Sequence, residues 1–247
     1  MGTDYTRNEF DKFTSQIIFY NKYRTFNPYI FPLPEDKLDE AVSIYNQRKK
    51  LNRGEVNINI MLASIFLEKE DYDSVIEECK KAIDINPNYA KAYSNLCCAY
   101  LNKEMIKEAE NACNNAIRLD PALPEPHNLL GILFEKREQI KEAEIEYQKA
   151  LELKPDSLEA HLNLGNLYFK MKFFTQSVLH YKKVIEIKPG YAQVLNNLAV
   201  VFFYEKEYTL AWEYLKKAED LGYKVHPEFK KAVLRKHRKK LPFQMMN

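Results

Sequence analysis

Glycine is scarce in this chain, with six in 247 residues. That leaves little room for a glycine-rich loop cradling a nucleotide, and no such motif is present. Cysteine is scarce too. The four are Cys79, Cys97, Cys98 and Cys113, with no CxxC pair and no zinc-type Cys/His spacing. No serine elbow occurs. Long apolar runs are missing: the longest early one is IIFY at 17–20, far too short to cross a bilayer or serve as a secretory signal. Net charge is only +2. These absences leave no enzyme site visible in the sequence. They imply no cofactor, metal or small-molecule substrate, and they fit a cytoplasmic chain. The cysteines fall at core-type helical places and read as buried, reduced thiols, as in a reducing compartment.

What the chain does have is a period. Pro87, Pro121, Pro155 and Pro189 stand 34 residues apart. Proline lacks a donor and clashes with the preceding turn, so it punctuates a helical region into equal units. Units of this length begin at Val56, Ala90, Pro124, Leu158 and Ala192. Their seventh place is always leucine: Leu62, Leu96, Leu130, Leu164 and Leu198. The eighth is small (Ala63, Cys97, Gly131, Gly165, Ala199), and the eleventh is aromatic (Phe66, Tyr100, Phe134, Tyr168, Phe202). These offsets share one side of a helix. The second half of each unit has small residues at Val75, Ala109, Ala143, Ser177 and Ala211, and again seven places later. Cys79, Cys113, Tyr147, Tyr181 and Leu215 lie between them. Small places admit a second helix closely and the larger ones fill the remaining gap, so each unit is an antiparallel helix pair. One pair cannot bury its apolar faces alone, so pairs must stack.

Over residues 56–225 the pattern resembles the tetratricopeptide repeat. The resemblance implies an all-α, right-handed solenoid of five units, 56–89, 90–123, 124–157, 158–191 and 192–225. The departures are local: the fourth place, often Trp in the family, is Asn59, Tyr93, His127, His161 and Leu195, and Tyr223 stands where proline is expected. Gly222 just before it suits a left-handed helix end. His127 and His161 occupy equivalent places in successive units, where packing is the plainer reading and metal binding the sharper one. Glu138, Glu142, Glu144 and Glu146 read as a solvated helix face.

The flanks do not follow the period. Residues 9–26 place Phe10, Phe13, Ile17, Tyr20 and Phe26 close to one helical stripe, and NPYIFPLP (27–34) must be extended or turned. Residues 1–34 read as a cap on the first repeat, or as a segment that swaps between chains or lies in the protein's own groove. Residues 35–55 hold the second helix of a degenerate half-repeat. At the other end, residues 224–247 carry +7, which leaves −5 for the rest. Pro227 suits the first turn of a helix. Residues 226–247 form a capping helix and tail with a basic surface of Arg235, Lys236, Arg238, Lys239 and Lys240.

The family resemblance implies a non-catalytic scaffold or adaptor whose first helices line a concave groove for a peptide or helix. Carried onto this chain, the groove residues are Lys91, Asn95, Leu129, Ile132, Leu162, Asn163, Asn166, Phe169, Asn197, Val200, Phe203 and Tyr204. Ile60 and Met61 join the apolar set. Asn95, Asn163 and Asn197 recur at the sixth place. A row of amides can hold a peptide backbone without reading its side chains. The row is similar to the asparagine ladder of O-linked N-acetylglucosamine transferases, but Met61 and Leu129 break it, and asparagine is also common at this place in the family. The clamp by which co-chaperones of this family grip acidic chaperone tails is absent, because Ile60, Ser64, Glu125 and Leu129 replace its Lys, Asn and Arg. The alternative function is docking of the basic C-terminal helix on nucleic acid or an anionic membrane.

Overall fold

The structure, a computed structural model, describes residues 56–240 together with Leu38, Asp39, Val42, Ser43, Tyr45 and Asn46. The readings made for residues 1–34 and the tail after Lys240 lie outside the described residues. The described residues hold eleven α-helices and no strand. They divide into two compact units, one ending at Pro155 and the other starting at Asp156. The first unit contains α1 (Val56–Glu68), α2 (Tyr72–Ile85), α3 (Ala90–Asn102), α4 (Ile106–Leu119), α5 (Pro124–Lys136) and α6 (Ile140–Leu153). The second contains α7 (Leu158–Lys170), α8 (Phe174–Ile187), α9 (Ala192–Tyr204), α10 (Tyr208–Asp220) and α11 (Pro227–Lys240). Within each unit, helices pack on their neighbours in chain order. The fold is an all-α solenoid of helix pairs.

Each pair turns at a left-handed residue. Glu70, Glu104, Glu138, Lys172 and Lys206 have φ between 57° and 65°. In the first turn the Asp71 N–H donates to the Phe66 carbonyl at 2.9 Å and the Glu70 N–H to the Leu67 carbonyl at 3.1 Å. That closure satisfies carbonyls the helix end would leave orphaned. Asp71 then caps α2 by accepting from the Ser74 N–H at 3.2 Å. Gly222 ends α10 with φ +82°, as its position suggested.

At the centre of the third and fourth pairs is a contact between the eighth place of the first helix and the twenty-fourth of the unit. Tyr147 and Tyr181 are fully buried, and their rings lie over Gly131 and Gly165. A Cβ on Gly165 would sit 2.6 Å from Tyr181 Cδ1. The phenol tips are satisfied, with Tyr147 donating to Glu135 and Tyr181 to Asn166, both at 2.7 Å. Ser177 Oγ donates to the Gly165 carbonyl at 2.8 Å, which fixes α8 against α7.

In the second pair the same two places hold Cys97 and Cys113, joined as a disulfide with Cα atoms 5.2 Å apart. This corrects the expectation of four reduced thiols. Buried cysteines at facing core places meet at bonding range because the helices approach so closely there. Cys79 and Cys98 remain buried free thiols, and burial pushes the Cys79 thiol well above its ordinary value. The disulfide removes the support that the cysteines lent to a reducing compartment.

α11 is anchored by Phe229 and Val233, both fully buried. Phe229 packs edge-on against Phe203, and Trp212 stacks on His237. At the other end, Leu38 is buried and Asp39 pairs with Lys69 at the end of α1.

Two outcomes test this packing. Gly165→Leu should lower stability by ~1–3 kcal/mol through overpacking against Tyr181, read from the denaturant midpoint at unchanged slope. Thiol titration of the denatured, unreduced protein should count two reactive thiols. Reduction should then cost ~2–4 kcal/mol of stability, because it frees a closed loop.

Candidate functional site

The repeat register turns the second, fifth, sixth, ninth, twelfth and thirteenth places of each first helix to one side. In the first unit this side carries Lys91 and Asn95 on α3, and Leu129 and Ile132 on α5. Lys91 and Asn95 are half-buried, while Leu129 and Ile132 are buried. In the second unit it carries Leu162, Asn163, Asn166 and Phe169 on α7, and Asn196, Asn197, Val200, Phe203 and Tyr204 on α9. This second set forms an aromatic wall. Phe169 meets Tyr204 edge-on at 5.5 Å, Tyr204 stacks with Phe174 at 5.9 Å, and Phe203 meets Tyr204 at 6.4 Å. Such offset and edge-on pairs hold the rings in fixed orientation.

The amides beside the wall are buried. Asn163 is 6 % exposed, Asn166 7 %, Asn196 1 % and Asn197 0 %. Their roles differ. The Asn166 oxygen accepts from Tyr181 inside its own helix pair, so this amide helps to hold the fold. Asn196 and Asn197 have no hydrogen-bond partner for either the amide nitrogen or the oxygen. A buried polar group without a partner costs about 1–3 kcal/mol, so two adjacent ones are unusual unless something else pairs with them. Asn196 stands at a fifth place and is absent from the residues the sequence pointed to; the available signal was Asn128, which holds the same place in the third unit.

The basic residues of α11 are spread around the helix. Arg235 and Arg238 are exposed, and the Lys236 ammonium lies over the Tyr208 ring at 5.9 Å. Lys230 pairs with Glu219 and Lys231 with Glu228. Lys239 and Lys240 belong to the same helix. Among the described residues no group of three His, Cys, Asp or Glu is placed to hold a metal, and no helix is long and apolar enough to cross a membrane.

The two fourth-place histidines each find a partner nineteen residues on, inside their own helix pair. His127 Nδ1 lies 2.7 Å from Glu146 Oε2. This corrects the expectation that Glu146 belongs to a solvated helix face, because its carboxylate is turned inward to His127. Burial works to raise its pKa, but the bonds from His127 and Lys149 outweigh that and hold it low. His161 Nδ1 lies 2.9 Å from His180 Nδ1, and Tyr168 stacks on His180. One imidazole must donate and the other accept, so the pair requires a neutral acceptor. Burial, then repulsion from His161, pushes His180 down to about 4. The unfolded chain, with an ordinary histidine, binds the proton more readily, so this group's contribution is present above pH ~6.5. It is lost as pH falls towards 4. The melting temperature should therefore drop across that window, and His180→Gln should flatten the dependence.

No curated protein matches the chain in sequence. Family profiles described as TPR repeat and tetratricopeptide repeat match residues 66–133, 136–172 and 158–191, together half of the chain. Many solved structures are similar, three of them as follows. YrrB, described as a TPR protein with an unusual peptide-binding site, is 25 % identical with a TM-score of 0.53, over 81 % of this chain and 100 % of its own. The APC/C hetero-tetramer Cut9–Hcn1 is 19 % identical with a TM-score of 0.73, over 81 % of this chain and 40 % of that one. PilF of Pseudomonas aeruginosa is 20 % identical with a TM-score of 0.65, over 81 % of this chain and 85 % of its own. Repeats of this type typically build non-catalytic scaffolds for protein interaction. Period, helix pairing and profile agree, and the chain belongs to the tetratricopeptide-repeat family.

Proposed function

We propose that this scaffold holds a peptide or helix of a partner protein on the groove side of its first helices, chiefly α7 and α9. The observation that carries the reading is the pair Asn196 and Asn197, buried and unpartnered beside the half-exposed Leu162, Phe203 and Tyr204. Apolar side chains give a partner area to bury, and amides give its polar groups a place to bond. Burial of the aromatic wall supplies most of the affinity. The amides act against wrong ligands, because a ligand that covers them without bonding to them gains little. The similar YrrB, with its peptide-binding site, supports a peptide as the ligand class. α11 then serves first as a cap, since its Phe229 and Val233 close the second unit's core.

Affinity capture from source-cell lysate tests this, with three full-length baits side by side: the intact protein, Asn163→Ala/Asn197→Ala, and Arg235→Gln/Arg238→Gln. Proteins captured by the intact bait should fall at least ~10-fold with the asparagine variant, about 1.4 kcal/mol, while circular dichroism stays unchanged. Capture that ignores the asparagine change but is lost with the arginine change, and fades with salt, would overturn the groove reading in favour of the basic helix.

A further inference from the structure

Two imidazoles face each other inside one helix pair. His161 on α7 and His180 on α8 bring their Nδ1 atoms to 2.9 Å, with ring centroids 5.2 Å apart and planes tilted by 43°. We propose that this pair is a binding site for a divalent transition-metal ion of the zinc class, held by the two Nδ1 atoms and completed by water. The hydrogen bond places one proton on the line between two ring nitrogens. A metal ion takes the place of that proton, with a lone pair from each ring turned to it. The donor ring then carries its proton on Nε2, as the acceptor ring already does, so both imidazoles stay neutral, the form that binds metal. The proposal is independent of the partner-binding reading.

The distances fit. Two nitrogens on one tetrahedral zinc, each bonded at about 2.0–2.1 Å, stand roughly 3.3–3.4 Å apart. Small turns of two rings on different helices open the present 2.9 Å to that spacing. Tyr168 is buried and stacks on His180 at 5.4 Å, which holds the ring in orientation. His161 is buried and His180 half-buried, so an ion and its water reach the pair along the His180 edge. Among the described residues no third His, Cys, Asp or Glu joins the two, which leaves water to fill the shell and keeps the ion exchangeable. Imidazole selects zinc, copper or nickel over calcium and magnesium, which take oxygen ligands. The third pair shows the contrasting case at the same places. There His127 meets Glu146, and the carboxylate is already bonded to the Lys149 ammonium at 2.7 Å, a cation where an ion would have to sit. The lysine at that place in the fourth pair, Lys183, is held by Glu186 at 2.6 Å instead. His127 and His161 are equivalent in the sequence, and it is the residue arriving from the facing helix that separates a salt bridge from a two-imidazole site. A bound ion ties α7 to α8.

The test titrates zinc chloride into the full chain and its variants in a buffer free of chelators. At a zinc concentration ten times the Kd from equilibrium dialysis, the melting temperature of the intact protein should rise by at least ~3 °C, and EDTA should reverse the rise. His127→Gln should keep the rise, while His161→Gln and His180→Gln should lose it. No rise in the intact chain, or an undiminished rise in either of those two variants, would overturn the proposal, the second because zinc then sits elsewhere. A measurement on the intact chain guards against a variant that fails to fold. With one equivalent of copper(II), the electron paramagnetic resonance spectrum should show two imidazole nitrogens on the ion. A spectrum with one nitrogen or none would count against the pair.

Discussion

A tyrosine ring packed against a glycine joins the helices of the third and fourth pairs, and much of the architecture depends on that contact. Tyr147 on Gly131 and Tyr181 on Gly165 bury the ring completely. At about 25 cal/mol per Å2, one such ring stabilises by roughly 3–5 kcal/mol as an upper figure. The glycine is needed for space, because any Cβ there would enter the ring. In the other units the same two places hold residues of different volume: Ala63 and Cys79, Ala199 and Leu215, and Cys97 bonded to Cys113. The disulfide is thus a variant of the packing contact, placed where two helices come nearest.

That approach forces the turn between the helices. Five turns carry glutamate or lysine in the left-handed region, where glycine would be the unstrained choice. The strain costs about 1 kcal/mol each. It is outweighed by the burial of the ring and by the carbonyls that the turn satisfies. The scarcity of glycine is therefore compatible with sharp turns, since the energy of the pair, not the ease of the turn, decides.

The proposed function rests on a place where the same packing logic leaves something unfinished. The helix pairs satisfy most of their buried polar groups internally: Tyr181 with Asn166, Tyr147 with Glu135, His127 with Glu146, His161 with His180. Asn196 and Asn197 are the exception on the groove side. They share α9 with Phe203 and Tyr204, and for that reason the proposed partner site is placed on this unit rather than on the first. The first unit offers Leu129 and Ile132, already buried, and a half-buried Lys91 and Asn95.

The sequence by itself determined the period, the helix pairs and the fold class, because proline spacing and small-residue offsets are local constraints that any 34-residue unit must satisfy. It also marked Gly222 as a helix end and Pro227 as a helix start, since both act through their own backbone. Only the tertiary structure decided how each polar residue is used. Asn166 and Asn197 read alike in sequence, yet one accepts a bond from a tyrosine fifteen residues away and the other meets no donor or acceptor at all. Glu146 looked like one acid among several until His127 was brought to it. Cys97 and Cys113 looked like two thiols until their helices were laid side by side. Each difference depends on which side chain arrives from the facing helix, and a periodic pattern fixes where a neighbour will be without fixing what it offers.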